Sequence, residues 1–347
     1  MKEIKANELE FKTYKYLRVN DRLVELPDLK YKEYKLDSDP KASDKLEGFG
    51  VSEDILALNE DHGNLYKTYV SEEGRQEDFG IIDLVSDDSY DELLDTQRIL
   101  AKEDSSLKII LNYADQGEKE KFRNSVITID ALKNSTVKVF IAQMEENTMA
   151  LESVRINAYE NSKVIISQYE LGGRENYVNT QINLLGEKAD VDCNSIYFGH
   201  DDQSLDMLYQ INHFAKKTKS SCVVNGALMD KAHKIFKSTL DFKEGSSESE
   251  GTEEEYAVLL SDDAKSISIP LLLSHEDDVA GNHAASAGKI DQAMLFYIMS
   301  RGIALDIAEA MVVESRFSQS LSRVDNPQIY DKVLSYIRKR MYKAKEA

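Results

Sequence analysis

The sequence predicts a mainly β protein built as stacked β-coils over residues 105–288. A mixed α/β cap over 1–104 precedes them and a helical domain over 289–347 follows. Three observations predict this class. Residues 127–139 and 154–166 align without gaps at a spacing of 27, apolar and polar residues alternate through both segments, and after Asp291 the apolar period changes from two to that of a helix. A supersecondary unit recurring every 20–50 residues marks a solenoid, and period-two alternation marks strands with one buried face.

The first copy reads Ile127-Thr-Ile-Asp-Ala-Leu-Lys-Asn-Ser-Thr-Val-Lys-Val139, and the second reads Val154-Arg-Ile-Asn-Ala-Tyr-Glu-Asn-Ser-Lys-Val-Ile-Ile166. Each holds two strands joined by a polar Asn-Ser corner, at Asn134-Ser135 and at Asn161-Ser162. Looser copies follow from Ile182-Asn183-Leu184 to Ala189–Cys193, then at Ser220–Val224 and Ala264–Ile269. Two strands per coil with no helix between them describe a β-helix, in which each coil covers the apolar face of the next. Only four prolines occur in 347 residues, as a hydrogen-bonded ladder requires. The repeat also puts Cys193 in register with Ile166 and makes it a core residue, the usual place of a free cysteine. Cys222 reads the same way.

The ends follow different rules. In the N-terminal cap, Ser89–Lys102 carries Leu93, Leu94, Ile99 and Leu100 at helical spacing and reads as a helix with an acidic first turn. The acidic stretch Ser43–Asp61 reads as partly helical around Ile55–Leu58. The whole segment is expected to lid the solenoid, whose bare terminal coil would otherwise invite edge pairing. After Asp291, Met294, Leu295, Ile298 and Met299 form one helical stripe, closed by Gly302 at a position suited to a C-terminal cap. Leu305–Glu314 forms a second helix. Asn326-Pro327 opens a third, with Ile329, Val333, Leu334, Ile337 and Met341 as its apolar side.

Composition narrows the function. A net charge of −20 opposes nucleic-acid binding, which needs a basic stripe. Arg338, Lys339, Arg340, Lys343 and Lys345 gather at the C-terminus, either complementing the helix dipole or forming a small basic docking edge. No run approaches the length of a membrane span and the N-terminus has no apolar leader, so a cytoplasmic location is expected. Two cysteines make no disulfide framework. Gly288-Lys289 is not a phosphate loop, because position 283 is histidine and 290 is isoleucine. Gly-x-Ser-x-Gly and zinc-type histidine pairs are absent, so the chain is expected not to be an enzyme. The glutamate-rich run Ser246–Glu255 reads as a solvated corner.

The segment Asp277–Gly302 concentrates the remaining signal. It contains Asp277-Asp278-Val279, His283-Ala284-Ala285-Ser286, Gly288-Lys289-Ile290-Asp291 and Leu295-Phe296-Tyr297-Ile298-Met299-Ser300-Arg301-Gly302-Ile303. This ordered series resembles the signature of the SufB/SufD family of iron–sulfur cluster assembly scaffolds. The likeness extends upstream through Ile269-Pro270, Val258–Ser261 and Asn212-His213, and covers roughly residues 105–320. It implies a right-handed parallel β-helix. It also implies a SufB-type paralogue and a SufC-type ATPase as partners, the ATPase docking on the helical domain around Tyr297, Arg301 and Gly302. No tightly bound cofactor is implied, only a transient iron or iron–sulfur cluster at the interface with the paralogue, where the family histidine stands as His283. Imidazole suits iron, and Asp277 and Asp278 are candidate supporting ligands. His213 reads as structural.

Departures from the family pattern select within it. SufB-type members carry a cysteine near Glu255 or Tyr256 and a glutamate on each side of the histidine, where this chain has Asn282 and Ala284. Some SufD-type members carry a cysteine at the position of Gly281. Clusters demand thiolate ligands, so the resemblance is to a SufD-type, non-catalytic scaffold subunit. A self-sufficient homodimer carrying clusters itself is the alternative. A β-helix enzyme of the polysaccharide lyase kind ranks below both, for want of an evident exposed carboxylate cluster or a secretion signal.

Overall fold

The computed structural model describes residues 2–13, 15–42 and 45–343. An antiparallel hairpin, β1 (Lys2–Ala6) and β2 (Arg22–Leu26), is followed by one helix, α1 (Glu53–His62). The solenoid then begins at Leu65. One parallel sheet contains β3 (Leu65–Ser71), β5 (Glu92–Ala101), β7 (Lys121–Ala131), β9 (Thr148–Ala158), β11 (Glu175–Leu184), β13 (Ser204–His213), β15 (His233–Phe242) and β17 (Lys265–Ser274). The facing sheet contains β4 (Gln76–Ser86), β6 (Ser106–Asp115), β8 (Thr136–Met144), β10 (Lys163–Glu170), β12 (Asp190–Gly199), β14 (Lys219–Leu228), β16 (Ser249–Leu259) and β18 (Val279–Lys289). Each coil therefore supplies one strand to each sheet, and the chain is a parallel β-helix of eight coils.

The repeat is reproduced residue by residue. Ile127 pairs with Val154 and Ile129 with Ile156, while Val139 pairs with Ile166 and Ile166 with Cys193. Both corner asparagines adopt a left-handed backbone, Asn134 at φ 56° and Asn161 at φ 55°, a conformation asparagine tolerates well. Asn161 Nδ2 donates to Asn134 Oδ1 and Asn134 Nδ2 to Asp104 Oδ1, both at 2.8 Å. The amides thus zip successive corners together.

Two expectations about the N-terminal segment fail. Glu92–Ala101 is strand β5, not part of a helix, and the solenoid starts about forty residues before position 105. The reason is that β5 is covered on both faces. Leu93, Ile99 and Ala101 point into the solenoid, while Leu94 packs outward against Ile4, Val24 and Ile55. A strand buried on both sides loses its alternation, and here buried polar Asp95, Thr96 and Gln97 separate the apolar pairs Leu93-Leu94 and Ile99-Leu100. The helix near Ile55–Leu58 is present as α1; Ser43 and Asp44 lie outside the described residues. Tyr34 joins the interior core cluster near the first coil, its hydroxyl donating to the Val85 carbonyl at 2.7 Å. The hairpin itself lies along the flank of the first sheet.

A buried latch holds it there. Lys237 Nζ donates to the Asn7 carbonyl at 2.9 Å and pairs with Asp206 at 2.8 Å, with both charged side chains essentially inaccessible. Asn7 Nδ2 donates to the Val178 carbonyl and to Asp206.

The second sheet is covered outside by α3 (Leu305–Leu321) and α4 (Pro327–Lys343). Phe317, Ile329, Val333 and Ile337 pack on Phe140, Tyr169, Ile196 and Phe198. The apolar side expected for the last helix is the buried one, whereas α3 runs seven residues beyond the expected Glu314. Arg338 pairs with Glu314 at 2.6 Å and Arg340 with Glu146 at 2.9 Å. These C-terminal arginines thus serve internal contacts. The Lys343 side chain and Lys345 lie outside the described residues.

Removing one member of a buried ion pair leaves the other charge unpaired, typically at about 3–5 kcal/mol. Lys237→Met is therefore expected to lower stability in urea unfolding by about that amount. It should also speed hydrogen exchange in residues 2–26, and Asp206→Asn in the same chain should restore part of the loss.

Candidate functional site: the open mouth of the solenoid

The last coil has no successor. β17 and β18 each pair on one side only, with β15 and β16, and so form the free edges of the two sheets. Neither α3 nor α4 covers them, and β18 is exposed along almost its whole length. His283 lies on this strand and is exposed.

Its orientation follows from register. In-register neighbours on parallel strands project to the same side of the sheet. His283 stands beside Glu253, Glu253 beside Cys222, and Cys222 beside Cys193. Both cysteines belong to the interior core, so the column runs along the inside of the solenoid and ends in the imidazole at the mouth. A Cβ built on Gly281, two residues before the histidine, would meet Phe242 and Leu272 at 2.8 and 2.9 Å. Phe242 is an interior residue, so this face of β18 looks inward.

The carboxylate that register brings to His283 is one the sequence reading assigned to solvent. Ser249–Glu255 lies in β16, and Glu253 and Glu255 are 1% and 0% exposed. Glu255 is fully partnered. It pairs with buried Lys234, accepts from the Tyr197 hydroxyl at 2.6 Å, and accepts from the Ser268 hydroxyl. Burial pulls the Lys234 ammonium below its ordinary pKa, and the Glu255 charge opposes that shift. Glu253 is different, since its Oε1 is buried with no hydrogen-bond partner. Burial, reinforced by the charges of Glu255 and Glu254 and opposed by the nearby Ser238 hydroxyl, pushes its carboxyl up to about 7. Alternation of Gly251, Glu253, Glu255 and Ala257 with Thr252, Glu254, Tyr256 and Val258 was the available signal. It is masked by a string of glutamates that reads as solvated.

Asp277 and Asp278 do not join His283. They are exposed at the corner before β18, five and six residues away along extended chain, or roughly 16–20 Å at strand rise. Asp278 accepts a backbone hydrogen bond from Glu248 at 2.6 Å. Among the described residues, no three His, Cys, Asp or Glu side chains converge as a metal cage. Cys193 and Cys222 are buried neighbours. Their mutual hydrogen bond and burial hold the Cys222 thiol well above its ordinary pKa, which leaves it unreactive. His213 is buried as well, bonded to Thr218 at 2.7 Å and Ser220 at 2.8 Å, and stacked on Phe242.

Tyr297, Arg301 and Gly302 lie beside the mouth, on and just after α2 (Gln292–Met299). The stripe expected there divides: Leu295 is buried and Ile298 partly so, while Met294 and Met299 face out with Phe296 and Tyr297. Arg301 stacks its guanidinium over the Tyr297 ring and donates to its hydroxyl at 2.8 Å. Gly302 has φ +83°, which a side chain would strain.

The fold and site together define a class: a two-sheet parallel β-helix, flanked by helices, whose final coil is left bare around an inward-facing histidine. Residues 86–316 match the family model described as the SUF system FeS cluster assembly SufBD core domain. The chain belongs to the SufB/SufD family. It is 34% identical over 131 residues to the iron–sulfur cluster assembly protein SufD of Bacillus subtilis, covering 38% of this chain and 30% of that one. It is 23% identical over 240 residues to a SufBD family protein of Mycobacterium leprae, covering 62% and 61%, and 24% identical over 207 residues to one of Mycobacterium tuberculosis, covering 57% and 52%. The chain thus spans less than two thirds of the length of these relatives. Among the described residues no helix is long and apolar enough to cross a membrane.

The neutral state of His213 has a measurable consequence. Burial lowers its pKa from 6.5 to about 4, so between those values the unfolded chain binds a proton that the fold excludes. This contribution is complete above pH 6.5 and is lost as pH falls toward 4, by roughly 3 kcal/mol in all. In His213→Gln, the difference in urea-unfolding stability between pH 7 and pH 4.5 is expected to shrink by about 2 kcal/mol.

Proposed function

We propose that this chain is a SufD-type, non-catalytic scaffold subunit of an iron–sulfur cluster assembly complex. The observation that carries this reading is the bare last coil with His283 on its inward-facing column. Unpaired edge strands are templates for another chain, and a SufB-type paralogue would complete them while covering the mouth. Iron or the nascent cluster is cargo at that seam. His283 contributes a nitrogen donor and the paralogue contributes the thiolates, since this chain's own cysteines are buried in the core.

The exposed face of α2 supports the second half of the reading. Phe296 is 75% exposed beside Tyr297 and Met299, next to the stacked Arg301–Tyr297 pair, and aromatic residues with arginine are typical of interface centres. A SufC-type ATPase docking there would supply nucleotide-driven movement of the scaffolds and expose the seam to incoming iron and sulfide. The likeness to a protein named SufD and the absence of thiol donors at the mouth favour this over the self-sufficient homodimer.

Co-expression with a SufB-type paralogue and a SufC-type ATPase, followed by size-exclusion chromatography, tests the reading. A single co-eluting species is expected, and three separate peaks would contradict it. Phe296→Asp should weaken ATPase capture by at least about tenfold without loss of the paralogue. Strong visible absorption after anaerobic reconstitution of this chain alone with iron and sulfide would favour the homodimer.

A further inference from the structure

We infer that Glu253 is the second donor, with His283, of a site for a divalent cation of the iron(II) class at the solenoid mouth. The inference deepens the reading of His283 as a cargo-handling residue and rests on it. Four observations support it. Glu253 and His283 are direct register partners on β16 and β18, so their Cα atoms are about 4.8 Å apart and their side chains project to the same side. Glu253 is 1% exposed, and its Oε1 has no hydrogen-bond partner, an arrangement that ordinarily costs folding free energy unless a ligand satisfies the atom. His283 is exposed directly above it, leaving the outer side of the pair open.

The fourth observation is selectivity among neighbours. Glu255 cannot serve, because Lys234, Tyr197 and Ser268 already occupy its oxygens. Ala285 stands over Glu255 in the last coil and offers no donor. A carboxylate oxygen with an imidazole nitrogen is the mixed hard–borderline donor set that suits iron(II), manganese(II), cobalt(II) and zinc. Two protein donors leave most coordination positions vacant, for water in the isolated chain and for a partner's ligands in a complex. The cation would bind between the Glu253 carboxylate and the His283 imidazole, where the interior column ends at the mouth.

Cobalt(II) is the probe, because its visible bands report nitrogen and oxygen ligation directly. Titrating the purified chain anaerobically is expected to give one saturable cobalt site. Glu253→Gln, which keeps the shape of the side chain, should weaken that site by at least about tenfold while leaving the melting temperature near or above that of the wild type. Glu253→Asp should retain part of the affinity, and Asp277→Asn should change nothing. His283→Ala should remove the bands. Unchanged affinity in Glu253→Gln, or no cobalt site in the wild-type chain, would overturn the inference. If His283→Ala alone loses cobalt, His283 stands as a metal residue and Glu253 does not. Whether the chain joins its paralogue, read separately by size exclusion of the same variants, reports on the scaffold reading independently.

Discussion

Parallel backbone pairing between successive coils is the constraint from which the other features follow. Each strand donates and accepts along its length to the strand one coil earlier and one coil later, so a side chain's position in its own coil fixes its neighbours in the next. Ile166, Cys193, Cys222, Glu253 and His283 form one such column. The same rule cannot be satisfied at the end of the stack. Somewhere the ladder must stop, and there it leaves a row of unpaired donors and acceptors. Near the first coil, Tyr34 from the preceding segment joins the interior core. At the last coil no described residue after the solenoid does so.

The flanks show that this bareness is selective. The hairpin and α1 protect the outer face of the first sheet, and α3 with α4 protect that of the second. Charge is likewise managed inside. Arg123 answers Glu145 and Glu152, Lys237 answers Asp206, and Lys234 answers Glu255. Buried pairs of this kind contribute little net stability but specify a unique arrangement of coils in some systems. Glu253 is buried one coil from the mouth, in register with His283, and its Oε1 makes no hydrogen bond.

Much of this was legible in the sequence, for physical reasons that also explain the failures. Coils with one wet face keep their alternation, so residues 127–166 announced both strands and the corner between them. The last helix announced its buried side through Ile329, Val333 and Ile337. Strand β5 was misread because Leu94 is buried outside and Leu93 inside, which erases the period. Glu255 was misread because its burial depends on Lys234, 21 residues away in sequence and adjacent only through the fold, and Glu253 because it lies in the same string of glutamates. His283 was found through the ordered motif around it. Its distance from Asp277 and Asp278, and its closeness to Glu253, are consequences of strand register that no local spacing reveals.

Hydrogen–deuterium exchange of β17 and β18, alone and with a SufB-type paralogue, measures the central claim most directly. Open edges should exchange quickly at their outward-facing amides in the isolated chain, and residues 279–289 should become strongly protected in the complex. Equal exchange in both states would mean that the last coil is not where the partner is joined, and would contradict the account.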